Sequence, residues 1–180
     1  MTSDARFEED LERVVGVFEQ AGIAHALIGA LAVAAWGAPR ATEDIDLLAD
    51  AAPSTRLDAA LGEAGFAPEW RRGDPDDPVP LLLRLGGPAG GPDVDVLCVT
   101  RAWEREVLGR AVRVRIPGGP EVPVVTAEDL IVLKLLAGGP GDLADVAELL
   151  VQAGPLPDLD ARAAERGVLD LLRRVRAALV

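Results

Sequence analysis

Ile28-Gly29-Ala30-Leu31-Ala32, followed by Gly37-Ala38-Pro39-Arg40-Ala41-Thr42-Glu43-Asp44-Ile45-Asp46-Leu47-Leu48, is the stretch on which the reading of this chain turns. It reads as a strand, a glycine turn, a short helix of small residues, a loop and a second strand. Along that second strand, alternation puts Asp44 and Asp46 on one face and Ile45 and Leu47 on the other. Two carboxylates about 7 Å apart along a strand can share hard divalent cations. A glycine opening a helix leaves bare backbone N–H groups for a phosphate. Side by side, these features point to a metal-and-phosphate site.

Outward from that stretch, residues 4–21 carry Phe7, Leu11, Val14, Val15, Val17 and Phe18 at helical spacing, and Gly22 stops the helix. The pattern predicts strands over 25–28 and 44–49, with a helix over 30–36 between them. A helix over 55–64 ends at Gly65, and strands follow over 81–85 and 94–99. The Gly- and Pro-rich segment 86–93 does not open a helix, so it reads as a hairpin turn. A helix over 101–108 precedes a hairpin of 112–116 and 122–125. Thr126 then has the place of an N-cap with Asp129 at N3, ahead of a helix over 127–137. The segment 138–141 reads as a loop, a helix covers 142–153, and one or two helices finish the chain. The expected fold class is α/β (α+β), a mixed sheet with packed helices and a helical C-terminal part.

The chain has 180 residues, 49% of them apolar, which suits one domain or a core with a small appendage. Lys134 is its only lysine, and an arginine bias of this kind follows from a GC-rich genome. Net charge is −12 without a basic tract, which argues against an extended nucleic-acid groove and against anionic membranes. The start Met1-Thr2-Ser3-Asp4 is unlike a signal peptide, and no stretch is apolar for long enough to span a bilayer. The single Cys98 excludes an intrachain disulfide and fits a reducing cytoplasm; on an apolar strand it reads as a buried core thiol. With His25 as the only histidine, a His-based triad or zinc site has no material. Trp36, Trp70 and Trp103 are too scattered for a base-stacking platform. The arginines of the last helices alternate with acids and read as a solvated face.

The Gly29-Ala30, Gly37, Arg40, Thr42, Asp44 and Asp46 series resembles the nucleotidyltransferase superfamily with the DNA polymerase β-like core. Within it, the chain looks most like the small bacterial AbiEii-type and related minimal nucleotidyltransferases. Their pattern runs Gly-x-x-Arg-x-Thr-x-Asp-x-Asp after a glycine turn. The resemblance covers most of residues 24–150 and implies a core over 1–125, with 126–180 a helical part of the same compact unit. It also implies a third carboxylate on a strand near the first two. Asp93-Val94-Asp95-Val96-Leu97 supplies it; Asp95, flanked by valines, is the choice and Asp93 the runner-up.

The implied chemistry is Mg²⁺- or Mn²⁺-dependent transfer of an NMP from an NTP to a hydroxyl. Asp44, Asp46 and Asp95 are the catalytic and metal residues, holding two ions. Gly29, Ala30, Arg40, Thr42, Lys134 and Asp142 are the nucleotide-site candidates. Thr42 doubles as a loop anchor, Lys134 as a lysine snorkelling from an apolar helix, and Asp142 as the residue orienting Lys134 or the Arg40 loop. The acceptor is a tRNA end, a protein side chain or a small molecule. A toxin role with a cognate antitoxin goes with the AbiEii likeness. Ala30 stands where many active members have serine or a second glycine, and Gly141 where a basic residue often precedes the aspartate. Those departures keep a second class open: a catalytically weak or inactive relative that binds a nucleotide or a protein partner.

Overall fold

The computed structural model describes residues 3–38, 42, 44–74, 79–87, 91–116 and 118–179. Arg40 and Glu43 lie outside the described residues, so the expected phosphate contact of Arg40 does too. Helix α1 (Ser3–Ala21) buries Leu11, Val14, Val15 and Phe18 and ends where Gly22 adopts a left-handed conformation. Strand β1 (His25–Leu27) is buried throughout and leads into α2 (Gly29–Ala35), whose alanines and Val33 are small enough to pack closely on β2 (Asp44–Ala49). Then come α3 (Thr55–Glu63), capped by the Ser54 hydroxyl, β3 (Ala67–Arg72), β4 (Leu81–Gly86), β5 (Asp93–Cys98) and α4 (Ala102–Gly109). The β6 (Val112–Arg115) and β7 (Glu121–Val124) hairpin precedes four helices, α5 (Ala127–Ala137), α6 (Pro140–Gln152), α7 (Leu159–Glu165) and α8 (Leu169–Ala177).

The seven strands form one mixed sheet in the order β3-β4-β5-β2-β1-β7-β6. Strands β2 and β5 run parallel at its centre, β1 runs antiparallel to β2, and β7 runs parallel to β1. One apolar cluster extends from Leu11 to Leu172 and takes in both sheet and C-terminal helices. Toward its end at Ala49 strand β2 is buried on both faces, while β5 keeps Leu97 half-buried beside the buried Val96 and Cys98. At their starts the second face opens, leaving Asp44 and Asp93 exposed and Asp46 and Asp95 half-buried.

Two expectations need correction. Strand β3 does not follow from the pattern, because Ala-Pro-Glu-Trp-Arg-Arg is a mostly exposed edge strand without an apolar alternation to detect. Helix α6 starts at Pro140 rather than 142, since proline is suited to the first turn of a helix. That start makes Asp142 a cap, accepting a hydrogen bond from the Gly139 amide at 3.2 Å.

Candidate active site

Register on the sheet assembles the aspartates. Asp44 pairs with Asp93 and Asp46 with Asp95 across the parallel β2–β5 ladder. Ile45, Leu47, Val94 and Val96, on the opposite face, are fully buried. The expected neighbouring of the two aspartate strands is therefore present, and the core side of each strand holds the acids to the open side. The Ile28 amide donates to the Asp46 carbonyl at 2.9 Å, which draws the turn between β1 and α2 alongside Asp46. Gly29 in that turn has φ +64°, and a Cβ there would overlap the Asp46 carboxylate. Glycine is thus required twice, by backbone conformation and by contact. Ala30 is buried in the first turn of α2, and Ile28 provides that helix with no side-chain cap. The Thr42 hydroxyl accepts from the Asp44 amide and donates to the Asp44 carbonyl, both at 3.3 Å, so it clips the loop to the start of β2.

Asp95 has a partner that the sequence reading missed. Arg84 on β4 donates from Nε to Oδ1 at 2.8 Å and from Nη2 to Oδ2 at 2.9 Å, a fork-to-fork pair. The hydrogen bond and charge of Asp95 hold the Arg84 guanidinium well above its ordinary pKa. The signal was in Leu81-Leu82-Leu83-Arg84-Leu85, a lone cation in an apolar strand at a position that alternates with buried leucines.

The second candidate group is an ion cluster between α5 and α6. Lys134 on α5 is nearly buried, with Nζ 3.2 Å from Asp142 and 2.6 Å from Asp145 on α6. A cavity of about 580 Å³ between α1 and α3, lined by Arg13, Val17, Leu57 and Ala60, contains none of the candidate residues.

Among the described residues, no three His, Cys, Asp or Glu side chains converge around one point as a complete ligand set. The chemistry of the donors still suits a hard cation. The side-chain oxygens that β2 and β5 offer on their open face are those of Asp44, Asp46, Asp93 and Asp95, all carboxylate. The chain's thiol and imidazole are both buried: Cys98 is bonded to the Val96 carbonyl, and His25 has Nδ1 2.8 Å from the Ile23 carbonyl and Nε2 without a hydrogen-bond partner.

No family model and no curated relative matches the chain. Solved structures do. The chain is similar to the lincosamide antibiotic adenylyltransferase LnuA, seen with lincomycin bound, at 16% identity and a TM-score of 0.52, over 79% of this chain and 96% of that one. It is similar to the antibiotic-resistance factor ANT(2″)-Ia at 18% identity and a TM-score of 0.57, over 94% and 92%. A nucleotidyltransferase-like protein from Paracoccidioides brasiliensis matches at 19% identity and a TM-score of 0.51, over 95% and 93%. The chain has a nucleotidyltransferase-like fold. In this nucleotidyltransferase-like fold, the paired aspartates sit at the starts of the two central parallel strands, with the glycine turn against Asp46.

Proposed function

We propose that this protein is a nucleotidyltransferase that moves an NMP from an NTP to a hydroxyl of a small molecule. The observation that carries the reading is the in-register Asp46–Asp95 pair with Gly29 against the Asp46 carboxylate. The acceptor class rests on the solved neighbours, among them LnuA bound to lincomycin and ANT(2″)-Ia bound to adenylyl-2″-tobramycin. The narrower AbiEii-type reading, a toxin with a cognate antitoxin, rests on the Gly37–Asp46 motif alone. The same motif supports tRNA and protein acceptors, but a net charge of −12 disfavours tRNA.

In this reading Asp44 and Asp46 hold Mg²⁺ or Mn²⁺ together with the triphosphate, and Asp95 completes the metal site. A bound divalent ion supplies positive charge to the triphosphate and acidifies the acceptor hydroxyl. Asp95 takes the proton of that hydroxyl as its oxygen bonds to the α-phosphorus. The bond from the α-phosphorus to the bridging oxygen breaks, and pyrophosphate leaves with the electron pair. Gly29 and Ala30 offer first-turn amides to phosphate oxygens. Arg40 adds a phosphate contact, and Lys134, oriented by Asp142, adds charge on the phosphate side.

The test incubates the purified protein with each labelled NTP, Mg²⁺ or Mn²⁺, and lincomycin, tobramycin or a cell extract. Label should pass to an acceptor with release of pyrophosphate and depend on the cation. Asp44→Ala and Asp46→Ala should each lose about a thousandfold or more. Mg²⁺ with NTP should raise the melting temperature of the wild type by mass action but not that of Asp46→Asn. An equal rise in both removes the metal assignment.

A second reading, a nucleotide- or protein-binding module without turnover, is favoured by the Arg84 fork that occupies both oxygens of Asp95. Tight binding of NTP with no labelled product from any of the four nucleotides decides for it.

A further inference from the structure

At one level of the sheet, four adjacent strands each carry a charged residue. Glu69 on β3 pairs with Arg84 on β4, Arg84 with Asp95 on β5, and Asp95 with Asp46 on β2. Directly opposed residues point to the same face, so the row runs across the open face from the sheet edge to the glycine turn. Its outer end is already neutralised. Arg71 donates to both Glu69 oxygens, from Nε at 2.9 Å and from Nη2 at 3.1 Å. Arg84 gives its fork to Asp95 instead. The guanidinium therefore stands against the carboxylate that, in the proposed function, completes the metal site.

We propose that Arg84 is the resident cation of the Asp95 half of this site. Its side chain supplies the charge that a second divalent ion would bring. Without nucleotide the protein takes one divalent ion, at Asp44 and Asp46. A second binds at Asp95 only when Arg84 lets go. Arg84 is a positioning residue here: it acts through Asp95 and sets how many ions the site holds. This inference rests on the nucleotidyltransferase reading.

Mn²⁺ binding to the nucleotide-free protein, followed by the electron paramagnetic resonance of the free ion, tests it. The wild type should bind one Mn²⁺ and Arg84→Gln two, the second at least about tenfold tighter than any second ion on the wild type. Arg84→Lys keeps the charge without the fork and should fall between them. Arg84→Met, which keeps the apolar stem and removes the charge, decides the matter if the glutamine variant does not fold: it should take two ions, and binding identical to wild type overturns the inference. The double variant Arg84→Gln/Asp95→Asn should return to one ion, which places the second ion on Asp95. Equal number and affinity in wild type and Arg84→Gln, or two ions on the wild type, overturns the role of Arg84 and leaves the nucleotidyltransferase reading standing. Absence of Mn²⁺ binding in every protein overturns both.

Discussion

Gly29 concentrates the constraints of this site in one residue. Its φ of +64° lies in the region that side chains rarely adopt, and the Asp46 carboxylate fills the space of the missing Cβ. Gly29→Ala should therefore destabilise the fold by about 1–3 kcal/mol, from left-handed strain and displacement of Asp46. NMP transfer should fall with it. Gly16 is the control: it lies inside α1, and a Cβ there would meet nothing within 4 Å. Gly16→Ala should stabilise by about 0.5–1 kcal/mol, so urea midpoints of the two variants should move in opposite directions. Cys98 shows the same logic on the core side. Burial pushes its thiol from 9.0 up to about 11, so the folded chain holds that proton more tightly than the unfolded one. The resulting stability is whole below about pH 9 and is lost as pH rises toward 11. Cys98→Ala should flatten that part of the stability–pH curve, and the native thiol should react with a thiol reagent at neutral pH only as the chain opens.

Among the elements, α5 and α6 are joined by one nearly buried cation. Lys134 serves both Asp142 and Asp145, and only 5% of the Asp145 side chain is exposed. Lys134→Met takes this ammonium from both carboxylates, which should cost about 3 kcal/mol in urea unfolding. Lys134→Met/Asp145→Leu should recover much of it, since an apolar pair of similar volume replaces the ions. If Lys134 also meets phosphate, the double variant should regain stability while NTP affinity stays low. That pairing was only half legible in the chain. Lys134 and Asp142 were already legible as partners, whereas Asp145, three residues on along α6, joins them only once the two helices are packed. The other elements divide along the same physical line. The strands with Asp44, Asp46 and Asp95 were legible because alternating acids and aliphatics fix which face is buried. The cap of α5 was legible because Thr126 and Asp129 are three apart, and the Thr126 hydroxyl indeed accepts from the Asp129 amide at 3.2 Å. Neither β3 nor the partner of Arg84 was legible. An edge strand has no buried face to pattern it, and cross-strand register is a long-range property that a local window does not contain.

At the scale of the molecule, the C-terminal helices are tied to the sheet-bearing part through Asp129, whose side chain is only 3% exposed and takes two guanidinium groups. Arg110, at the end of α4, donates to it from Nε and Nη2 at 3.0 and 2.9 Å. Arg162 on α7 reaches the same carboxylate at 2.9 Å, the Thr126 hydroxyl at 3.1 Å and Glu128 at 3.1 Å. The solvated face expected for the arginines of the last helices therefore does not hold for Arg162, which lies inside this network. Glu128 in turn accepts the Asp158 amide at 2.8 Å, just ahead of α7. Leu159, Ala163 and Leu172 from the last two helices are fully buried in the common apolar cluster. Shared core and shared ion network argue that residues 126–180 unfold with the rest of the chain. Far-UV circular dichroism and fluorescence of Trp36, Trp70 and Trp103 should then trace one coincident urea transition. Arg162→Met should lower its midpoint by the equivalent of about 3 kcal/mol, because Glu128 loses its guanidinium partner while Asp129 keeps Arg110. The slope should not change, since the surface exposed on unfolding is the same. Two separated transitions in the wild type, or an Arg162→Met variant that melts only its helical signal early, would show instead that the C-terminal helices are a unit of their own.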